Sequence, residues 1–146
     1  SEKILFSWTL SPEKVVTNNE FDTPTLGRRI SAIRLAIKKG WKVRLCFDPV
    51  IIYDNWEKDY GELLNKIIIL LDCNNIYDIT VGVFRMGQDY FQRIRKSNPH
   101  SLEYYKDYVE ENKIVTVSQD DRDRVKTLFA NKLKDYIADD KIHFWI

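Results

Sequence analysis

Apolar and polar residues alternate most clearly at Ile4–Leu10. There Ile4, Phe6 and Trp8 fall on one side of an extended chain, and Leu5, Ser7 and Thr9 fall on the other. The pattern predicts a strand with large apolar groups on one face and hydroxyls at the end of the other. Residues 11–22 are mostly polar and predict a connection, with room for one helical turn at Pro12–Val16. The period then changes. Leu26, Ile30, Ile33 and Ile37, joined by Ala32 and Ala36, recur at helical spacing behind Thr23-Pro24, which suit an N-cap and a first helical position. Arg28, Arg29, Arg34, Lys38 and Lys39 are interleaved with this stripe, and Gly40 is a natural stop.

Lys42–Phe47 reads as a buried strand that runs into a polar break at Asp48–Pro49, with Val50–Tyr53 extended beyond it. A helix follows from about Trp56 to Leu71, capped by Asp54 or Asn55, with Glu57 and Asp59 in its first turn. Ile79–Phe84 is a third strand with Arg85 at its carboxyl end, and Gln88–Lys96 is a short helix that stops before Asn98-Pro99. This β-α-β-α-β-α order with short links predicts an α/β fold with a parallel sheet. The pattern is less regular beyond it. Ser101 suits the cap of a turn carrying Tyr104, Tyr105 and Tyr108, and Ile114–Val117 suits a short strand. A helix from Asp120-Asp121 turns Val125, Leu128, Phe129, Leu133, Tyr136 and Ile137 inward, and Ile142–Ile146 reads as a last strand against the sheet. No linker divides the chain. Residues 1–146 are expected to form a single domain, with three β/α units in 1–99 and a C-terminal extension in 100–146.

Composition narrows the class without choosing a function. The 146 residues are 44% hydrophobic and 31% charged, as in soluble globular domains. A net charge of +1 gives no global argument for nucleic acid, so any basic surface has to be local. The two cysteines, Cys46 and Cys73, form neither a disulfide framework nor a metal-ligand spacing, and no metal site is expected. Cys46 reads as a small buried thiol, and a reducing cytoplasm is the expected compartment. The longest apolar run, Ile67–Leu71, is far too short to cross a bilayer, so no membrane role is expected. His100 and His143 read as ordinary surface residues.

Chemistry concentrates in Trp41–Tyr60. A strand that delivers a carboxylate to its carboxyl end just before a helix is where α/β folds place reactions. Pro49 biases Asp48 away from helical angles and so directs the exit. From Gly40 the segment reads G-W-x-V-x-L-x-F-D-P-x-I-x-Y-x-x-W-E-x-x-Y, which resembles the radical SAM proteins related to spore photoproduct lyase. Other pieces stand in the family's order. They are Ser7-Trp-Thr-Leu-Ser-Pro12, then Glu20 and Thr23 ahead of Arg29-Ile30-Ser31-Ala32, then Gly82-Val83-Phe84-Arg85. The resemblance is strong over about residues 5–85 and looser over Arg124–Ile146.

The resemblance implies a partial (β/α)6 barrel of TIM-like form. In such proteins a Cys-x3-Cys-x2-Cys loop near the first strand binds a [4Fe–4S] cluster, which reduces S-adenosylmethionine to release a 5′-deoxyadenosyl radical. No such loop stands in this sequence, and its first strand matches the family's fourth. The chain therefore resembles the C-terminal half of the barrel. Cluster, S-adenosylmethionine and lyase activity, with DNA repair as its context, are implied for a parent protein, and this chain alone is expected to be inactive.

Within the resemblance, Ser7 falls on a serine that contacts S-adenosylmethionine, with Thr9 beside it on the same face. Asp48 and Pro49 fall next to the adenosyl group, where the relative closest to the lyase itself has Ala-Pro, so Asp48 follows the family's wider branch. Arg85 is suited to holding a substrate carboxylate or phosphate, and Tyr53 lies on the substrate side. Each has a bland alternative: a strand-end hydroxyl for Ser7, an Asx turn or ion pair for Asp48, a surface ion pair for Arg85, packing for Tyr53 and Trp56. No catalytic residue is assigned. Ser7, Asp48 and Arg85 are expected to converge on one rim of the sheet. The lyase's basic, glycine- and tyrosine-rich DNA-binding hairpin is not visible here. Tyr104, Tyr105 and Tyr108 lie near that place among Glu103, Asp107, Glu110 and Glu111, so nucleic acid is only weakly implied. Expected partners are the missing N-terminal half or a second copy, joined as a homodimer through the exposed Ile4–Leu10 edge and the uncovered inner face. The competing class is a stand-alone, non-catalytic binding or scaffold domain on a half-barrel.

Overall fold

The computed structural model describes residues 3–19, 22–98 and 108–146. Strands β1 (Leu5–Thr9), β2 (Lys42–Val50), β3 (Ile76–Val83) and β7 (Ile142–Trp145) form one parallel sheet in the order β1-β2-β3-β7. Helices α1 (Glu13–Asn19), α2 (Leu26–Lys38), α3 (Trp56–Leu70) and α4 (Gln88–Ser97) intervene, and α5 (Gln119–Leu133) leads towards β7. β4 (Arg85–Gly87), β5 (Val109–Glu111) and β6 (Ile114–Thr116) form a second, antiparallel sheet in the order β4-β6-β5. The parallel β/α architecture is that of part of a TIM-like barrel.

The sheet is apolar on one side because its strands alternate. Val43, Leu45 and Phe47 of β2 and Ile79, Val81 and Val83 of β3 are all buried. They share a core with Leu26, Ile30 and Ile33 of α2, Trp56, Tyr60, Leu64 and Ile67 of α3, and Val125, Phe129 and Leu133 of α5. Phe47 meets Phe129 edge-on, with ring centroids 5.1 Å apart. Each such buried side chain contributes about 1.5–3 kcal/mol, so the helix-covered face carries most of the stability.

Several details differ from the sequence reading. Asp48–Pro49 does not end the strand. β2 continues to Val50, and a register shift between Phe47 and Val50 accommodates the extra residue against β3. The cap of α2 is Thr25, whose hydroxyl accepts from the Arg28 amide, while Thr23 Oγ1 accepts from Arg29 Nη2 at 3.1 Å. Asn55 stands at the N-cap of α3 in the left-handed region (φ 68°) with no side-chain cap bond. α5 begins at Gln119, one residue before Asp120, and Ser118 caps it. Cys46 is only half-buried, because alternation puts it on the uncovered face between Leu45 and Phe47.

The second sheet was not expected. β5 and β6 are joined by Asn112-Lys113, both at positive φ (51° and 64°), the requirement of a tight I′ hairpin turn. The hairpin is acidic. Gln88 donates to Glu110 (2.7 Å), and Arg122 Nη2 donates to both oxygens of Glu111 (2.9 and 3.0 Å). Tyr108 stacks on Phe84 with ring centroids 4.6 Å apart. Glu20, His100 and the turn read at Ser101, with Glu103, Tyr104, Tyr105 and Asp107, lie outside the described residues.

Candidate functional site on the open face of the sheet

Parallel register puts paired residues on the same side of a sheet, and this assembles the second face residue by residue. Ser7 pairs with Arg44, Thr9 with Cys46, Arg44 with Asp78, Cys46 with Thr80, Thr80 with His143, and Gly82 with Trp145. Where the helix-covered side is aliphatic, this side carries hydroxyls, a thiol and charges. Ser7, Thr9, Asp48, His143 and Trp145 are exposed on it.

Its charged centre is Asp78, buried to 4% exposure. A carboxylate so placed needs a partner. Arg44 supplies one through paired hydrogen bonds, Nε to Oδ1 and Nη2 to Oδ2, both 2.6 Å. The hydrogen bond to Asp78 raises the Arg44 pKa further above its ordinary range. His143 is exposed on β7, as the sequence suggested, and its Nε2 lies 3.6 Å from Asp78 Oδ2.

The rim of the face is built around a glycine. A Cβ placed on Gly82 would stand 2.4 Å from the Asp48 Cγ and Oδ1 atoms, so the Asp48 carboxylate lies directly over the Gly82 backbone. Arg85 Nη2 approaches Asp48 Oδ2 at 3.4 Å, while Arg85 Nη1 donates to the Val83 carbonyl at 2.9 Å and to the Trp145 carbonyl. The side chains of this ion pair are 41% and 35% exposed, so the attraction is worth no more than about 1 kcal/mol. The arrangement leaves a carboxylate and a guanidinium side by side, open to solvent, at the carboxyl end of two parallel strands.

Ser7 shares the face but sits lower. Its register partner, Arg44, precedes Asp48 by four residues, roughly 13 Å along a strand. The Ser7 hydroxyl lies 3.0 Å from the Cys46 thiol. Thr9 is nearer the rim, and its carbonyl accepts from Arg29 Nη1 at 2.9 Å. Arg29, which the sequence shows only as one of five cations interleaved with the apolar stripe of α2, is a structural residue. It is 8% exposed, and it ties the end of β1 to the loop ahead of α2 through Thr9, Pro24 and Thr23. Its helical position, one residue before Ile30 and three after Leu26, was the available signal.

Tyr53 is not on this face. It lines a separate cleft of about 830 Å³ with Trp56, Tyr108 and Arg124. Its hydroxyl donates to Asp59 Oδ2 at 2.8 Å, and burial together with that bond pushes its pKa well up. The Trp56 indole N–H is buried with no hydrogen-bond partner among the described residues.

The residues present do not fit an iron–sulfur cluster. Cys46 lies in the second half of β2, and Cys73 lies in the 3-10 turn Cys73–Asn75 that precedes β3, where it donates to the Leu71 carbonyl. Among the described residues no group of three or more His, Cys, Asp or Glu side chains is placed to hold a metal. Among the described residues no helix is long and apolar enough to cross a membrane.

Comparison with known proteins identifies the family. Residues 1–145 match the family Spore photoproduct lyase. The chain is 34% identical over 59 residues to spore photoproduct lyase of Clostridium acetobutylicum, covering 40% of this chain and 18% of that protein. It is 30% identical over 78 residues to the Bacillus subtilis lyase, covering 53% of this chain and 23% of that protein. Its fold matches a spore photoproduct lyase double mutant with bound AdoMet and dinucleoside spore photoproduct (TM-score 0.73, 14% identity). It also matches a lyase complexed with dinucleoside spore photoproduct (TM-score 0.71, 16% identity). Each match covers 96% of this chain and 43% of the solved one. The chain thus spans less than half the length of these relatives, and it belongs to the spore photoproduct lyase family.

Proposed function

We propose that this chain supplies the S-adenosylmethionine and substrate side of a lyase-type barrel that acts on a DNA lesion. In this reading the cluster and the radical chemistry fall to the remainder of such a barrel, a reading supported by the solved relatives' extending well beyond the 43% matched here. One observation carries the reading: the sheet is sealed by helices on one face, while the other is an open row of hydroxyls, thiol and charges ending in the Asp48–Gly82–Arg85 rim. A sheet built only for stability has no need of exposed Ser7, Thr9 and Asp48 on the side where a barrel has its lumen.

In this reading Ser7 and Thr9 offer hydroxyls to the polar groups of S-adenosylmethionine. Asp48, held over Gly82, accepts hydrogen bonds from sugar hydroxyls or an amino group, and Pro49 shapes the strand beside it. Arg85 holds a phosphate or carboxylate of the substrate with the donors that Val83 and Trp145 do not use. Tyr53 acts at a distance, by fixing the loop between β2 and α3 through Asp59. S-Adenosylmethionine supplies the reactive carbon when bound with a cluster. The chain alone orients it and is inactive. The partner is the remaining half of the barrel or a second copy of this chain.

Amide NMR tests the assignment. Titrating the chain with S-adenosylmethionine, then with dinucleoside spore photoproduct, is expected to shift resonances of Ser7, Thr9, Asp48, Gly82 and Arg85. Shifts confined to the Tyr53–Arg124 cleft, or none at millimolar ligand, would sink the reading.

A further inference from the structure

The net charge of +1 conceals a strong asymmetry. Between Asp22 and Asp48 there is no acidic residue, while Arg28, Arg29, Arg34, Lys38, Lys39, Lys42 and Arg44 all fall in that interval. Arg29 and Arg44 are spent on the structural contacts described above. On α2 and its C-cap, Arg28, Arg34, Lys38 and Lys39 are exposed, and among the described residues none has an ion-pair or hydrogen-bond partner through its side chain. At 3.6 residues per turn they fall within an arc of roughly 140°, opposite the buried Leu26, Ile30 and Ile33. Asp72 lines the groove beside Arg34 and Lys38, but its carboxylate is occupied in its own turn by the Asn74 amide and the Asn75 side chain.

Four unpaired cations on one helix face, with no acid interleaved, form the local basic surface that the overall charge hides. Arg28 and Lys38 are ten residues apart, about 15 Å along a helix, which is the span of some nine phosphates on a DNA duplex. We infer that the outer face of α2 is a docking surface for the phosphate backbone of double-stranded DNA, separate from the open face that receives the lesion. The inference rests on the lesion reading only for choosing DNA among polyanions. An anionic bilayer fits less well, because Leu26, Ile30 and Ile33 are committed to the core and Leu35 is a single large apolar side chain exposed among the cations, too little to anchor a helix in a bilayer. The surface reads no sequence. It adds affinity for undamaged duplex from the helix-covered side of the sheet, the side away from the open face.

The test is the salt dependence of binding a labelled, undamaged duplex oligonucleotide, followed by anisotropy. The Arg28→Gln/Arg34→Gln/Lys38→Gln/Lys39→Gln variant keeps good helix formers and removes no observed contact, so it folds. Its slope of log K against log salt is expected to be shallower than wild type by about three to four. The scattered control Lys58→Gln/Lys66→Gln/Lys113→Gln/Lys126→Gln loses the same charge and is expected to change the slope by less than about one. No duplex binding by the wild-type chain, equal slopes for variant and control, or tighter binding to phosphatidylserine vesicles than to duplex overturns the inference. The dinucleoside titration has no flanking duplex, so it judges the open-face reading independently.

Discussion

Replacing Gly82 with alanine tests the rim directly. The new Cβ would lie 2.4 Å from Asp48 Cγ and Oδ1 and 2.7 Å from Oδ2, where non-bonded carbons prefer about 3.5–4.0 Å. Overlap of more than about 1 Å cannot be absorbed by small shifts inside a sheet, so the carboxylate must swing away and leave Arg85. The backbone gives no reason for glycine, because Gly82 is not at positive φ. Alanine should therefore be favoured there by about 0.5–1 kcal/mol were Asp48 absent. Turning an exposed carboxylate into another rotamer and away from Arg85 costs about 1–2 kcal/mol, so Gly82→Ala is expected to be destabilising by at most about 1 kcal/mol. Asp48→Ala alone removes an exposed, long ion pair and should cost under about 1 kcal/mol. In the Asp48→Ala background, Gly82→Ala should turn stabilising, a coupling of about 1–2 kcal/mol. Urea unfolding followed by tryptophan fluorescence measures it. With m near 1–3 kcal/mol/M, Gly82→Ala lowers the midpoint by up to about 0.5 M in the wild-type background and raises it in the Asp48→Ala background. Equal midpoint losses in both backgrounds would refute the reasoning, because Gly82 would then be present for something other than the carboxylate above it.

Arg29→Met should destabilise by about 2–4 kcal/mol in the same assay, because it strips charged hydrogen bonds from the Thr9 and Pro24 carbonyls, and Arg29→Lys should not restore them. Lys113→Gly relieves a non-glycine residue at φ 64° in the hairpin turn and should stabilise by up to about 1 kcal/mol, read as a rise in thermal midpoint. Burial and then Asp72 raise the Cys73 thiol. In a Cys46→Ala background iodoacetamide should therefore modify it more slowly than free cysteine at pH 8, with the rate levelling off only above the free-thiol pKa of about 8.5. If the β1 edge drives self-association, light scattering should show a dimer that Phe6→Lys converts to monomer, whereas a wild-type monomer at high micromolar concentration removes the homodimer.

The parallel order was legible because each strand and helix carries its own period. Val43, Leu45 and Phe47 alternate, and Leu26, Ile30 and Ile33 recur at helical spacing, so tertiary packing had only to agree with them. Where sequence reasoning slipped, a non-local partner decided the outcome. Asp48-Pro49 looks like a break in isolation, yet Gly82 on the next strand has no side chain and lets β2 run on with its carboxylate tucked above. Arg29 stands in the sequence only as one of five cations beside an apolar stripe, and its burial depends on the Thr9 carbonyl, twenty residues earlier. His143 is exposed as read, and it is the pairing of β3 with β7 that brings it within 3.6 Å of Asp78. The hairpin around Asn112-Lys113 was hidden because neither residue is glycine, the usual signal for its turn.

The chemistry of the two sides of β1 also says what kind of partner the half-barrel can accept. An apolar sheet face left uncovered would close by collapse onto another apolar surface. Here the uncovered face holds Arg44, Asp78 and His143 in contact, with Ser7 against Cys46. Burying such charges dry costs several kcal/mol per ion unless their partners are kept. That side is therefore suited to a hydrated, polar ligand and unsuited to being packed as a core. The edge differs. Phe6 is 39% exposed, meets Trp41 edge-on at 5.2 Å and lies 6.0 Å from Trp8. Among the described residues, β1 pairs only with β2. Free backbone groups beside an aromatic trio ask for an added strand. A strand added there would lengthen the row that runs from His143 through Asp78 and Arg44 to Ser7, enlarging the polar face instead of filling it. In the proposed function, completion of the barrel and retention of an open ligand site are thus compatible, because association would use the edge and the aromatic side while binding would use the other.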